Sequence, residues 1–150
     1  IQNTLVLIQK LNPSVHFIFT ISPVRHLKDG FIENQQSKSH LIAAIHQAIK
    51  TKENSFYFPS YEIMMDELRD YRFYKEDMIH PNNIAVNYIW EKLSKKWFSD
   101  ETLQTTEQIE KIQKNLDHKP FNSESLLHEK FIKSTEQKIK KLQEKKYLDL

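Results

Sequence analysis

The fold is set by a short run of β-branched and aromatic residues, Val15-His16-Phe17-Ile18-Phe19-Thr20-Ile21-Ser22. Its apolar side chains fall on both faces of an extended chain, as in a central strand of a parallel sheet that helices cover on both sides. A second short strand is predicted at Asn54-Ser55-Phe56-Tyr57-Phe58, which Pro59 ends. Because the two strands are far enough apart for a helical crossover, we predict that they are parallel neighbours joined by a right-handed connection.

The segment between the two strands predicts a helix. Asp29-Gly30 marks a turn, and Ser37 or Ser39 is a candidate N-cap of the helix that follows. One apolar stripe runs along this helix through Leu41, Ile42, Ile45, Ala48 and Ile49. A β-α-β unit therefore forms the centre of the predicted fold.

Three further helices are predicted around this unit. The first covers Ile1–Leu11 and ends at Asn12-Pro13, and the second covers Tyr61–Leu68. The inward-facing residues expected of the second helix are Ile63, Met64 and Leu68, and those of the third are Val86, Ile89, Trp90, Leu93 and Trp97. Since two strands do not form a stable parallel sheet alone and the chain starts at Ile1 rather than Met, we expect further strands upstream and an exposed apolar sheet edge or face.

Residues 99–150 differ from residues 1–98, because their apolar content falls and charged residues crowd in. We therefore predict an α/β domain over residues 1–98 and a helical extension over residues 99–150. Two helices are expected in the extension, with a break at 117–122 that includes Pro120. Their apolar positions are Ile109, Ile112 and Leu116, then Leu127, Phe131, Ile139 and Leu142.

Composition narrows the classes of function. The chain has 22 basic and 20 acidic side chains and a net charge of +2, which is too small to demand an anionic partner. The lysine-rich run Lys138–Lys146 is interleaved with acidic residues, so we interpret it as a solvated helical face and expect no nucleic-acid partner. No apolar run of about 18 residues occurs, and we expect no membrane span.

Two residue counts exclude specific chemistries. The absence of cysteine excludes disulfides, thiol catalysis and cysteine-ligated zinc, and it leaves the compartment undecided, with the cytoplasm favoured. Gly30 is the one glycine of the chain. A tight phosphate-binding loop or a nucleophile turn needs several glycines, so neither can be built from these residues.

The candidate catalytic residues are Asp77 and His80, in a polar segment that Pro81 closes before a helix begins. A carboxylate bonded to one ring nitrogen of a histidine fixes its tautomer and leaves the other nitrogen to accept a proton. A turn of this length brings both groups to one side, and the unpaired N–H groups at the start of the next helix favour negative charge nearby. The spacing alone also allows Asp77 to cap a turn and His80 to be an ordinary surface histidine.

Ser22, Arg25 and His26 follow the first strand at its carboxyl end, the edge where open α/β sheets bind ligands. We expect these residues to contribute to substrate binding. Arg25 or His26 would shape the pocket or hold a negatively charged intermediate. The alternative is that Arg25 pairs with a local carboxylate and that His26 is a loop residue.

Three segments carry a resemblance to a known family: Thr20-Ile21-Ser22-Pro23-Val24-Arg25-His26-Leu27-Lys28-Asp29-Gly30, Tyr57-Phe58-Pro59-Ser60-Tyr61-Glu62, and Asp66 to Pro81. They resemble the C-terminal half of a GSCFA-family domain, and the helical tail resembles the extension of bacterial members. This bacterial family is similar to the SGNH/GDSL hydrolases. The resemblance implies a three-layer α/β/α fold of flavodoxin-like type and a serine hydrolase or acyl-transfer site. Asp77 and His80 match the family's D-x-x-H block, which makes His80 the general base.

The Gly-Ser-Cys-Phe-Ala motif that names the family, and that would supply the nucleophile, is absent from this sequence. Ser22 and Ser60 adjoin prolines and lack the glycine-flanked turn that exposes a nucleophile. The leading hypothesis is a serine ester hydrolase or acyltransferase of SGNH type, of which this chain supplies the Asp/His part and the upstream half of the same domain supplies the rest. The expected substrate is a small-molecule or carbohydrate acyl ester, with no cofactor and no metal.

Two other functions compete with this hypothesis. One is a non-catalytic α/β scaffold whose helical tail binds a protein partner. A Gly-Ser motif after an upstream strand would favour the enzyme, and its loss would favour the scaffold. The other is a metal-dependent hydrolase that uses His80 with Asp66 or Asp70, although no H-E-x-x-H or comparable ligand spacing occurs.

Overall fold

The structure is a computed structural model that describes residues 1–120 and 125–146. The chain forms two compact units, residues 1–96 and residues 97–150. The predicted α/β class, with a parallel sheet and C-terminal helices, is confirmed. In chain order the elements are α1 (Gln2–Leu11), β1 (Phe17–Thr20), α2 (Phe31–Ile49), β2 (Ser55–Phe58), α3 (Ser60–Glu62), a π-helical segment (Ile63–Glu67), a 3-10 turn (Tyr71–Phe73), α4 (Asn83–Trp97), α5 (Asp100–Leu116) and α6 (Leu126–Lys146).

Strands β1 and β2 pair in parallel, so the predicted pairing is confirmed, and the hand of the crossover stays a prediction. β1 is shorter than the predicted strand 15–22, because β2 offers four residues before Pro59 interrupts the ladder. Burial alternates along β1: Phe19 packs against the core, whereas Ile18 on the opposite face is 47% exposed. The register is Phe17 with Ser55, Ile18 with Phe56, Phe19 with Tyr57 and Thr20 with Phe58.

Two apolar clusters hold the elements of the first unit together. In one, Ile21, Ile45 and Tyr61 are buried, which packs the end of β1 against α2 and α3. The other consists of Phe58, Ile63, Met64, Leu68, Tyr74 and Ala85. It includes all three residues that the sequence predicts to face inward after Pro59. Because this second cluster joins the π-helical segment to residue 74 and to α4, it anchors the chain on both sides of residues 75–82.

Helix α2 begins earlier than its predicted start. Its N-cap is Gly30, whose φ of +110° lies in a region that L-residues avoid, and its first residue is Phe31. The predicted capping role of Ser37 or Ser39 is therefore wrong. Ser39 lies inside the helix, where its hydroxyl donates to Gln35 O at 2.9 Å. The first turns of α2 carry no apolar stripe, which is why periodicity did not reveal them.

Helix α4 turns a different face inward from the predicted one. Val86 and Trp90 are exposed, so their assignment to the core is wrong. Ala85 is buried instead, and Ile89 and Leu93 pack against the same cluster. These three positions recur every four residues, and the small Ala85 side chain lets the helix approach the cluster closely.

The second unit contains the two predicted helices. Ser99 caps α5, because its hydroxyl accepts the N–H of Thr102 at 3.2 Å. The predicted break near Pro120 is confirmed for residues 117–120, whereas residues 121–124 lie outside the described part of the chain. The buried residues described in this unit are Ile112, Thr135 and Leu142.

Some side chains of the second unit differ from the prediction. Leu116 and Leu127 are exposed, so their assignment to apolar stripes is wrong. Leu116 is the last residue of α5, and Leu127 is the second residue of α6. Lys138, Lys140 and Lys141 are exposed, as expected of a solvated face. Over residues 1–120 and 125–146, no helix is both long and apolar enough to cross a membrane.

Candidate functional site

The polar segment before α4 is a closed turn. Tyr74 and Pro81 form an isolated antiparallel bridge, and the N–H of Lys75 donates to His80 O at 2.8 Å. Met78, near the centre of the turn, has a φ of +57°, a left-handed conformation that residues other than glycine adopt infrequently. Side chains at positions 77 to 80 are therefore presented by a loop whose two ends are tied together.

The turn brings Asp77 and His80 into contact. Asp77 Oδ2 lies 2.7 Å from His80 Nδ1, while Asp77 Oδ1 accepts the N–H groups of Ile79 at 2.8 Å and His80 at 3.0 Å. One carboxylate oxygen therefore caps the turn, as the spacing allows, and the other contacts the ring. With Nδ1 engaged, Nε2 is the nitrogen left to accept a proton, and no described residue bonds to it. The side chains of His80 and Asp77 are 51% and 41% exposed.

The same hydrogen bonds keep Asp77 ionised. The backbone N–H groups of His80 and Ile79, followed by the His80 side chain, lower the pKa of Asp77 from 3.8 to about 2. Because folding lowers this pKa, the contribution of Asp77 to stability is fully present above pH 3.8 and is lost as the pH falls through about 2. The Asp77 carboxylate is therefore ionised at neutral pH.

We expect the Asp77 carboxyl carbon to titrate near pH 2 in a ¹³C NMR experiment on the folded protein. In His80→Ala the two backbone donors remain and the ring is lost, so the pKa of Asp77 should rise yet stay below 3.8. A wild-type pKa at or above 3.8 would contradict the hydrogen bonding of the turn. A full return to 3.8 in His80→Ala would show that the ring, not the backbone, holds the carboxylate.

Arg25 ties the loop after β1 to this turn. Its backbone N–H donates to Ile79 O at 3.2 Å, and its side-chain Nη1 donates to Met78 O at 3.1 Å. Its guanidinium carbon lies 4.2 Å from the centre of the Tyr74 ring and 5.4 Å from that of Tyr71. The carboxyl end of β1 is therefore held next to the Asp77/His80 turn, and Arg25 forms no ion pair with a described carboxylate.

Ser22 and His26 do not bond to the Asp77/His80 pair in the described structure. The Ser22 hydroxyl accepts the N–H of Val24 at 3.2 Å. His26 lies 3.3 Å from Asp29 through Nδ1, and its backbone N–H donates to Asn34 Oδ1 at 2.8 Å. Both residues shape the path of the loop through local bonds.

Sequence reasoning missed two residues that support the turn. Asn82 donates from Nδ2 to Arg72 O at 2.6 Å, and its Oδ1 accepts the N–H of Ala85 at 3.1 Å, which caps α4. Its position between Pro81 and an apolar helix is a recognisable N-cap signal. Tyr74, whose ring lies beneath Arg25, has no local signal of its own.

The alternative metal ligands Asp66 and Asp70 and the alternative nucleophile Ser60 bond to residues other than Asp77 and His80. Asp66 pairs with Arg69 at 2.6 Å, and Asp70 pairs with Arg72 at 3.0 Å. Among the residues that the structure describes, no group of three or more His, Cys, Asp or Glu side chains is placed to hold a metal ion. The Ser60 hydroxyl is buried, donates to Ile21 O at 2.7 Å and lies 2.6 Å from Thr20 Oγ1.

Comparison with protein-family models gives two matches. The GSCFA family matches residues 1–93, and the C-terminal domain of GSCFA domain proteins matches residues 109–150. No curated protein and no solved structure matches the chain. The first family match covers more than half of the sequence and includes the Asp77/His80 turn, so the chain belongs to the GSCFA family.

Proposed function

We propose that the protein is a serine ester hydrolase or acyltransferase of SGNH type, in which His80 is the general base and Asp77 orients it. The observation that carries this proposal is the 2.7 Å contact between Asp77 Oδ2 and His80 Nδ1, made by a carboxylate that the turn backbone also holds. A histidine fixed in this way directs Nε2 outward as a proton acceptor. The match of both residues to the D-x-x-H block supports the same roles.

The reaction that fits this pair has two steps. Nε2 of His80 takes the proton of a serine hydroxyl while the serine oxygen attacks the carbonyl carbon of the ester. The imidazolium, stabilised by Asp77, then gives that proton to the leaving alcohol, and an acyl-serine remains. Water or a second alcohol then attacks the acyl-serine while His80 takes its proton, and the imidazolium returns that proton to the departing serine oxygen, which completes hydrolysis or acyl transfer.

The nucleophile in this proposal comes from the upstream half of the same domain. The chain has no Gly-Ser-Cys-Phe-Ala motif, and the hydroxyls of Ser22 and Ser60 are bound within the unit. Exposed apolar side chains on α1 and β1 support a partner surface there, since Leu11 is 89% exposed and Ile18 is 47% exposed. The substrate class is a small-molecule or carbohydrate acyl ester.

The loop after β1 borders the substrate in this proposal. Arg25 positions the turn through its bonds to Met78 and Ile79, and its remaining N–H groups are available to a substrate oxygen. Ser22 and His26 act through the shape of the loop, because their polar groups are engaged locally. These three residues therefore form one side of the proposed site.

A fluorophosphonate probe, which bonds covalently to an activated serine, tests this proposal directly. We expect it to label the full-length protein at a serine outside the 150 residues of this chain. Labelling should be much slower in His80→Ala and unchanged in His40→Ala, a substitution on the exposed surface of α2. Absent labelling, or equal labelling of both variants, would favour the non-catalytic scaffold.

A further inference from the structure

A cleft lies next to the proposed catalytic turn, within the first unit. It is formed by the loop after β1, the first turns of α2 and residues 61–71, and its volume is about 230 Å³. Val24, Leu27, Phe31 and Met65 make much of its wall apolar. Arg25 also lines the cleft, and the same residue bonds to the carbonyls of the turn that carries His80. Arg25 therefore links the cleft to the turn, while Asp77 and His80 themselves do not line it.

Two cations and no carboxylate line the cleft. The ammonium group of Lys38 donates to Ser22 O at 2.7 Å and lies 5.9 Å from the centre of the Tyr61 ring. Within the described residues, neither Lys38 nor Arg25 takes part in an ion pair. Burial lowers the pKa of Lys38 from its usual value, as expected of an ammonium that has lost water without gaining an anion.

The side-chain amide oxygens in the cleft already accept hydrogen bonds, whereas the donor groups beside them do not all have partners. Asn34 Oδ1 accepts the backbone N–H of His26 at 2.8 Å, and Gln35 Oε1 accepts the Tyr61 hydroxyl at 2.7 Å. The amide NH₂ groups of Asn34 and Gln35 bond to no described residue, and Lys38 has two further N–H groups. The hydrogen-bonding capacity left for a ligand is therefore mainly that of donors.

We propose that this cleft binds a small oxyanion carried next to an apolar group. An anion rich in acceptors would satisfy Lys38, Arg25 and the two amides, while Leu27 and Phe31 contact its apolar neighbour. A cavity of this size is smaller than the roughly 300–1,000 Å³ of sites for drug-sized ligands, so it suits a short group rather than a long acyl chain. This inference rests on the proposed function in one respect, namely that the bound anion is the carboxylate, sulfate or phosphate of an ester substrate.

Calorimetric titration of the full-length protein tests this proposal with benzoate, phenyl sulfate and phenyl phosphate as probes and benzyl alcohol as the neutral comparison. The titrations use the His80→Ala variant, so binding is measured apart from turnover. We expect at least one anion to bind, and benzyl alcohol to bind at least about tenfold more weakly, because charge-assisted hydrogen bonds are lost. The anion that binds best distinguishes the three possible sources of the oxyanion.

Variants of the cleft give the matched comparison. Lys38→Met should weaken anion binding by about tenfold, and Lys38→Arg should retain most of it. Lys28→Met removes the same charge from the same loop outside the cleft, and it should leave the affinity unchanged. Asn34→Asp places a carboxylate in the cleft and should repel the anion, which gives a second test if Lys38→Met fails to fold by circular dichroism.

The proposal is overturned if no anion binds, if benzyl alcohol binds equally well, or if Lys28→Met weakens binding as much as Lys38→Met. These outcomes are separable from those of the fluorophosphonate experiment. Anion binding by a protein that the probe does not label would remove the esterase proposal and keep the anion cleft. Labelling without anion binding would keep the esterase and remove the anion cleft.

Discussion

Replacing His80 by alanine in the full-length protein is expected to lower ester turnover by about 10²- to 10⁴-fold, the usual contribution of a positioned general base. The reason is that Asp77 occupies Nδ1 at 2.7 Å and leaves Nε2 as the proton acceptor. His80 is exposed and lies outside both apolar clusters, so folding should be nearly unchanged. The measurements are kcat and kcat/KM on p-nitrophenyl esters of short acids, together with Tm.

Chemical rescue separates a catalytic loss from a structural one. Added imidazole should restore part of the turnover of His80→Ala, because the exposed site admits a small base. His40→Ala removes a histidine from the exposed surface of α2 and should behave as the wild type. Full-length protein that keeps wild-type turnover after His80→Ala would refute the mechanism.

Asp77→Asn is expected to lower turnover by a factor similar to that for His80→Ala, but for a different reason. The asparagine oxygen can still accept the N–H groups of Ile79 and His80, so the turn should keep its shape. Its NH₂ group would donate to Nδ1 and so select the tautomer in which Nε2 already carries a proton. The matched control is Asp66→Asn, since Asp66 bonds to Arg69 rather than to a histidine.

Met64→Ala is expected to lower the free energy of unfolding by about 2–5 kcal/mol, the usual cost of removing a buried methionine side chain. Met64 is 0% exposed and lies in the cluster that contains Tyr74 and Ala85. A loss of this size is large against the roughly 5–15 kcal/mol that stabilises a typical domain. Urea denaturation followed by circular dichroism measures it.

The neighbouring residue provides the control for this prediction. Met65 is of the same type and in the same π-helical segment, but it is only partly buried. Met65→Ala should therefore cost less than Met64→Ala. Equal costs, or the reverse order, would contradict the packing of the cluster. Because Tyr74 packs in this cluster and beneath Arg25, Met64→Ala should also increase hydrogen exchange in the Asp77/His80 turn.

Features that depend on neighbouring residues could be predicted from the sequence. The two strands, the break near Pro120 and the contact between Asp77 and His80 each follow from chemistry within a few residues of chain. The contact is of this kind because a short turn leaves a carboxylate and an imidazole few relative positions. The family resemblance also came from local motifs, and the match over residues 1–93 confirmed it.

Hydrophobic periodicity gave wrong predictions where the first turns of a helix lack an apolar stripe or where a helix buries a small residue. The first turns of α2 have no apolar stripe, so their start was predicted too late. On α4 the sequence favoured the large residues Val86 and Trp90, whereas the structure buries Ala85. Side-chain size misled the prediction, because a small residue permits close packing and gives little hydrophobic signal.

Tertiary structure alone decided how the Asp77/His80 turn is supported and which polar groups of the cleft are already hydrogen-bonded. Arg25 bonds to Met78 across 53 residues of chain, and no spacing rule indicates such a pair. The cleft beside Lys38 likewise exists because the loop after β1, the first turns of α2 and residues 61–71 meet, which leaves Lys38 without a carboxylate and engages the amide oxygens of Asn34 and Gln35. A sequence shows which donors and acceptors a chain carries, but only the packed chain determines which of them are already satisfied, because hydrogen bonds between distant residues form when their elements come together.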